Sequence, residues 1–284
     1  MLHINDLTYR IDGRVLFDAA TLYAPAKAKV GLIGRNGTGK STLFRLIRGE
    51  TSPESGEVRV QPGARVGSVA QEAPGGPTRV MDFVLAADEE RAALLAEAET
   101  AREPDRIAEI QTRLADIESH SAEARAGAIL DGLGFDAEAQ KRPCAEFSGG
   151  WRMRVALAAT LFARPDLLLL DEPTNYLDLE GAVWLETHVR RFPGAVVLIS
   201  HDRDLLNQAV DRIAHLKDAK LTLWEGGYDQ FERQLAERQR LQMKLVERQE
   251  AERRRLQAFV DRFRAKATKA RQAQSRVKRL EKME

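Results

Sequence analysis

Cysteine occurs once in 284 residues, at Cys144, which excludes an intrachain disulfide and any metal site built from several thiolates. Apolar runs are short. None approaches the roughly 18 residues needed to span a bilayer, and the N-terminus lacks the charged-then-apolar pattern of a secretory leader. The expectation is a chain with no membrane-spanning part, in a reducing, cytoplasmic compartment. Aromatic residues are sparse at 6%, yet hydrophobic residues reach 43%, enough at this length for one large core or two modest ones. No internal repeat is visible. Acidic and basic residues nearly cancel, at 43 against 44, but they are unevenly spread. From Arg233 to Glu284 there are 17 Lys/Arg and 7 Asp/Glu, so a basic tail follows an acidic body of net −9.

Gly and Pro punctuate short β-rich runs in the first third, and Leu2 to Tyr9, Lys29 to Ile33, Glu57 to Val60 and Arg65 to Ala70 read as strands. From Val80 to about Gly132 the composition shifts to Ala, Glu, Leu and Arg. Leu94, Ile107, Ile110, Leu114 and Ile117 recur there at helical spacing, broken by Pro104, which predicts a small helical insertion over about 80–146. A helix at Gly149 to Phe162, a strand at Leu167 to Leu170, a helix around Gly181 to Arg191, a strand at Ala195 to Ser200 and a short helix from Asp202 follow. Strands alternating with helices predict an α/β fold with a parallel sheet. After Tyr228 almost no Gly or Pro appears, while Leu241/Leu245 and Leu256/Phe259/Phe263 keep helical spacing on a charged background. That pattern predicts a long amphipathic helix that turns near 265–270 and starts back, so the expected domains are 1–232 and 233–284.

Gly34-Arg35-Asn36-Gly37-Thr38-Gly39-Lys40-Ser41 fits the G-x-x-x-x-G-K-[ST] phosphate loop and lies between an apolar strand and a helix. Glycines let backbone N–H groups turn toward phosphates, and the helix N-terminus adds positive potential. Lys40 would reach the terminal phosphates and the Ser41 hydroxyl would ligate Mg²⁺. Leu167 to Leu170 then delivers Asp171 and Glu172 to the C-terminal edge of the sheet, where open α/β sheets bind ligands. In that position Asp171 would hold Mg²⁺ through water, and Glu172 would orient or deprotonate an attacking water.

Phe147-Ser148-Gly149-Gly150-Trp151 resembles the signature, usually L-S-G-G-Q, of ATP-binding-cassette (ABC) ATPases. The order of the other motifs matches that family. Gln71 resembles its Q-loop, Asn175-Tyr176-Leu177-Asp178 its D-loop and His201 its switch histidine. Tyr9 stands where the family places an aromatic that stacks on adenine. The resemblance implies an ABC-type P-loop ATPase domain with a small antiparallel β subdomain, a helical insertion and a C-terminal helical hairpin. It implies ATP and Mg²⁺ as cofactors, with nucleotide contacts from Tyr9, residues 34–41 and Thr42. Glu172, His201 and Gln71 would act in catalysis, and Ser41, Gln71 and Asp171 at the metal. In this family each site is composite, so Ser148, Gly149 and Gly150 would face the nucleotide of a second cassette.

Ser-Gly-Gly-Trp-Arg-Met-Arg at 148–154, Ile-Ser-His-Asp-Arg at 199–203 and Gly227-Tyr228-Asp229-Gln230-Phe231 are similar to ABC-F cassettes, which act on the ribosome. The stretch from Phe263 to Arg276 is similar to the interdomain linker tip of the YheS-like branch. The resemblance covers essentially the whole chain and implies an N-terminal cassette with part of its linker, the second cassette lying beyond Glu284. Implied partners are that cassette and the ribosome with its RNA, but no membrane. Arg264, Lys266, Lys269 and Arg271 are the expected RNA contacts, since residues 262–282 hold nine Arg/Lys and one acid. The insertion is the opposite: Asp88 to Gln140 contains 14 acids and five Arg, which argues against its gripping RNA backbone. An ATPase subunit of a membrane transporter is the alternative reading, and the basic C-terminal stretch speaks against it. A DNA-repair or chromosome ATPase normally has a far longer coiled coil between phosphate loop and signature, and here Ser148 stands only 107 positions after Ser41.

Overall fold

A computed structural model of the protein describes residues 1–69 and 74–263. Gln71, Arg264, Lys266, Lys269 and Arg271 lie outside the described residues, as does the expected turn at 265–270. In chain order the elements are β1 (Leu2–Ile11), β2 (Arg14–Ala24), β3 (Lys29–Ile33), α1 (Lys40–Ile47), β4 (Ser55–Val60) and β5 (Val66–Ser68). Four helices of the insertion follow: α2 (Val80–Ala86), α3 (Glu89–Thr100), α4 (Pro104–Asp116) and α5 (Ala122–Gly132). The α/β pattern then resumes with α6 (Gly149–Phe162), β6 (Leu167–Asp171), α7 (Leu179–Arg191), β7 (Ala195–Ile199), α8 (Arg203–Gln208), β8 (Arg212–Lys217) and β9 (Lys220–Glu225). Last comes α9 (Tyr228–Phe263). The chain divides into two units, Met1–Asp229 and Gln230–Glu284.

Two sheets share the first unit's core. The larger runs β5-β6-β7-β3-β8-β9, parallel except for the antiparallel edge strand β9. Its middle strands read Leu-Leu-Leu-Leu and Ala-Val-Val-Leu-Ile and are buried throughout, as strands covered on both faces must be. The smaller sheet, β2-β1-β4, is antiparallel and sends Leu2, Ile4, Leu7, Phe17 and Leu22 into the same core. Its first hairpin is irregular. Asp6 and Ala19 have positive φ, and their N–H groups are satisfied across the ladder by Thr21 Oγ1 at 3.2 Å and Thr8 Oγ1 at 3.1 Å. Each threonine thus replaces a ladder hydrogen bond that the bulged backbone has lost.

At the N-terminal edge of the parallel sheet, Lys29 is buried. Its ammonium donates to Lys27 O, Phe192 O and Gly194 O at 3.0, 2.8 and 2.6 Å. Burial pushes its pKa down from the ordinary lysine value, and the three carbonyls supply the partners that a buried cation requires. In the insertion, Pro104 opens α4 at its first turn, where a missing N–H costs nothing, and α4 buries Ile110 and Leu114. In the second unit α9 carries exposed Leu241, Met243, Leu245 and Val246.

Candidate nucleotide-binding site

β6, β7 and β3 are neighbours in the sheet, so their C-terminal ends bring three separate stretches of sequence to one edge. β3 ends at Ile33, and the loop to α1 turns through Gly37 and Gly39, with φ of 75° and 109°. At Gly39 a side chain would also crowd Leu16 and Phe17, so this position needs glycine for both conformation and space. The Lys40 ammonium curls back over the loop to Gly34 O at 2.8 Å. Thr38 Oγ1 donates to Arg35 O at 2.8 Å and tightens the turn.

From β6 come the two acids. Ser41 Oγ donates to Asp171 Oδ2 at 2.9 Å, joining the first turn of α1 to the end of β6. Glu172 adopts a left-handed backbone, φ 46° and ψ 53°, which costs a residue with a side chain roughly 1–2 kcal/mol. The conformation is held by its N–H bonding to Ile199 O at 2.9 Å and by its carboxylate accepting from the His201 N–H at 3.2 Å. His201 follows β7. Its Nε2 lies 3.2 Å from Asn36 Oδ1 and 3.4 Å from Glu172 Oε1, between the phosphate loop and the acid. These groups border a cavity of about 810 Å³ lined by Asn36, Gly37, Gly39, Lys40, Ser41, Thr42, Asp171, Glu172, Asn175 and His201. Ser41 and Asp171 offer hard oxygen donors to a cation such as Mg²⁺.

The remaining wall is Ile199, at the end of β7, with Ile11, Asp12, Arg14 and Leu16, from the tip of the β1–β2 hairpin. Sequence reasoning did not find these hairpin residues; the segment that carries them has no motif. Tyr9, expected beside the adenine, packs against the hydrophobic core and is not among the residues lining this cavity.

Ser148 heads α6, and Gly149 and Gly150 face open space, with nothing within 4 Å of where a Cβ would stand. None of these three lines the cavity beside Lys40. Behind them Arg154 is buried. Its Nε donates to Tyr176 O at 2.6 Å, its Nη1 to Leu133 O at 3.1 Å and to Asp178 Oδ2 at 2.9 Å, and its guanidinium stacks on Trp151 at 4.3 Å. Asp178 also caps α7 through the Gly181 N–H, and this bond together with Arg154 holds its carboxyl below the usual range. Arg154→Met is expected to leave the Tyr176 and Leu133 carbonyls without their partner and to lower stability by about 2–3 kcal/mol in urea unfolding.

A family model described as "ABC transporter" matches residues 17–175, and a second with the same description matches 214–284. Among curated proteins, "Probable ATP-binding protein YheS" of Escherichia coli (strain K12) is 44% identical over the whole of this chain and 45% of its own length. "ATP-binding cassette sub-family F member 3" of Homo sapiens is 39% identical over 99% of this chain and 40% of its own. The chain thus spans less than half the length of the curated relatives it matches. A solved "ATP binding subunit of ABC transporter" superposes with a TM-score of 0.62 at 19% identity, covering 83% of this chain and 93% of that one, a likeness of fold. No described helix is long and apolar enough to cross a membrane.

Proposed function

The chain belongs to the ATP-binding-cassette family, in its ABC-F branch, and from that premise we propose that it binds Mg-ATP at the phosphate loop. There it would hydrolyse ATP with the help of a second cassette, as part of an ATP-dependent ribosome-binding factor. The observation that carries the chemistry is the meeting of Ser41, Asp171, Glu172 and His201 around one cavity. Ser41 and Asp171 would hold Mg²⁺, which supplies neutralisation of the phosphate charge when bound. Lys40 would exchange the Gly34 carbonyl for phosphate oxygens. Glu172 orients or deprotonates the water, and His201 bonds the same carboxylate from the adjoining strand end. Gln71 remains the third proposed member of this set.

Lys40→Ala removes the cation facing the phosphates, a charge-assisted contact of about 1.5–3 kcal/mol, so nucleotide affinity should fall about 10- to 100-fold in a fluorescent-nucleotide titration. Unchanged affinity would remove Lys40 from the site. The composite site makes a separate prediction. Ser148, Gly149 and Gly150 stand apart from the cavity that holds Lys40, so they are available to a neighbouring nucleotide and not to this chain's own. ATP turnover per molecule should therefore be slow at nanomolar protein and rise with concentration as pairs form. Fast turnover that is strictly first order in protein down to nanomolar concentration would contradict a composite site.

The ribosomal part of the proposal rests on charge. Residues 262–282 are too uniformly basic to be at ease without a polyanion nearby. Co-sedimentation of the two-cassette parent with ribosomes, with and without ATP, tests it directly: ATP-dependent association supports the reading, and its absence would favour the transporter-subunit alternative.

A further inference from the structure

A second cavity, of about 580 Å³, lies at the opposite edge of the parallel sheet from the phosphate loop, between α5, the end of α6 and the last turns of α7. Its lining includes three guanidinium groups, Arg125, Arg164 and Arg191, and no carboxylate. The nearest acid, Glu118, reaches Arg125 and Arg164 only at 3.8 Å each. Arg191 makes no ion pair among the described residues. Arg125 is mostly buried; its Nη1 is held by Glu118 O at 2.8 Å and Ser121 Oγ at 2.7 Å, while its Nε has no partner. Like charges near one another repel, and these three come from separate elements: Arg125 from the acidic insertion, Arg164 from just beyond α6 and Arg191 from the end of α7.

Beside the cations stands an aromatic wall. Trp184 is pinned against Gly132, where a Cβ would come within 2.1 Å of the indole, and His188 stacks on Trp184 with ring centroids 4.7 Å apart and planes at 28°. Burial and the neighbouring Arg164 push the His188 pKa down, and its ring extends the aromatic surface of Trp184. Phe162 completes the floor, 5.6 Å from the Arg125 guanidinium. Planar guanidinium groups suit phosphate, which they can bond in a bidentate manner. Aromatic surfaces beside them suit a flat, apolar body, and the volume exceeds what inorganic phosphate alone would fill.

We propose that this cavity is a second nucleotide-binding site, separate from the phosphate loop, taking the phosphate of a nucleotide on Arg164 and Arg191 and its base against the Trp184–His188 wall. The ligand can be a free nucleoside monophosphate or one unpaired nucleotide of an RNA strand. The test uses the full 284-residue chain with its phosphate loop filled by a non-hydrolysable ATP analogue. Tryptophan fluorescence is titrated with AMP, with a single-stranded RNA 12-mer and with inorganic phosphate, and a Trp184→Phe variant supplies the blank. Saturable quenching by AMP that depends on Trp184 and weakens about tenfold or more in Arg164→Gln/Arg191→Gln supports a free nucleotide as the ligand. The same behaviour with RNA alone supports an RNA strand. Should the double variant fold poorly, Arg191→Glu at the exposed rim gives the same readout. Quenching by inorganic phosphate as strong as by either nucleotide would overturn the role of the base, and nucleotide binding indifferent to the arginines, or no Trp184-dependent quenching, would overturn the site.

Discussion

Glu172→Gln is expected to leave Mg-ATP binding intact and to slow single-turnover hydrolysis by about 100- to 10,000-fold, the range for losing a positioned acid–base group. The amide keeps the shape of the side chain, and its oxygen can still accept from the His201 N–H. It cannot take a proton from water. In the two-cassette parent the variant should therefore accumulate in the ATP-bound, closed state, visible as a stable complex in gel filtration with ATP. A wild-type single-turnover rate would show that another group accepts the proton, and His201, 3.4 Å from Glu172 Oε1, would be the next residue to substitute.

Reversing Arg264, Lys266, Lys269 and Arg271 to Glu should abolish ATP-dependent ribosome association of the parent while leaving nucleotide affinity as it was. These residues lie more than sixty positions beyond His201, the last of the cassette motifs. If all four cations touch RNA backbone, the wild-type slope of log affinity against log salt should be about −3, from a contribution of roughly −0.7 to −0.9 for each contact. The defect of the variant should narrow as salt rises, because the wild type loses its advantage to screening. Undiminished association in the variant would move the ribosome contact to the cassette surface and leave 262–282 as a solvated stretch of charge.

The parts of this chain that were legible in its sequence are those where one local rule governs. Gly149 to Phe162 was expected as a helix and is one, because a largely apolar segment rich in Ala and Leu follows a pair of glycines and ends before Pro165. The phosphate loop and the Asp171-Glu172 pair were legible because each is contiguous and its spacing is dictated by chemistry. β2 was not read as a strand. The left-handed residues Asp6 and Ala19 break the two-residue period in both partners of that hairpin, and Asp18-Ala19-Ala20 has weak strand propensity. β8 and β9 were missed for a related reason: their turn is made by Asp218 and Ala219, both at positive φ, where a sequence reader looks for glycine. That turn is supported from outside the hairpin. Ala219 O accepts from the Asp18 N–H at 2.9 Å, and Lys220 pairs with the Asp18 carboxylate at 2.8 Å. The cavity wall at Ile11, Asp12, Arg14 and Leu16 was invisible for the same cause, since only the irregular hairpin brings it over the phosphate loop.

Arg154 has a further consequence, for architecture rather than energy. One guanidinium joins α6, which presents Ser148, Gly149 and Gly150, to Tyr176 and Asp178 of the following loop and to the end of α5. The surface around these glycines is therefore assembled from three stretches of sequence that share a single keystone. A change of the Asp178 side chain would loosen the support beneath the glycines without touching them, whereas the Tyr176 and Leu133 links are made through main-chain oxygens and do not depend on those side chains.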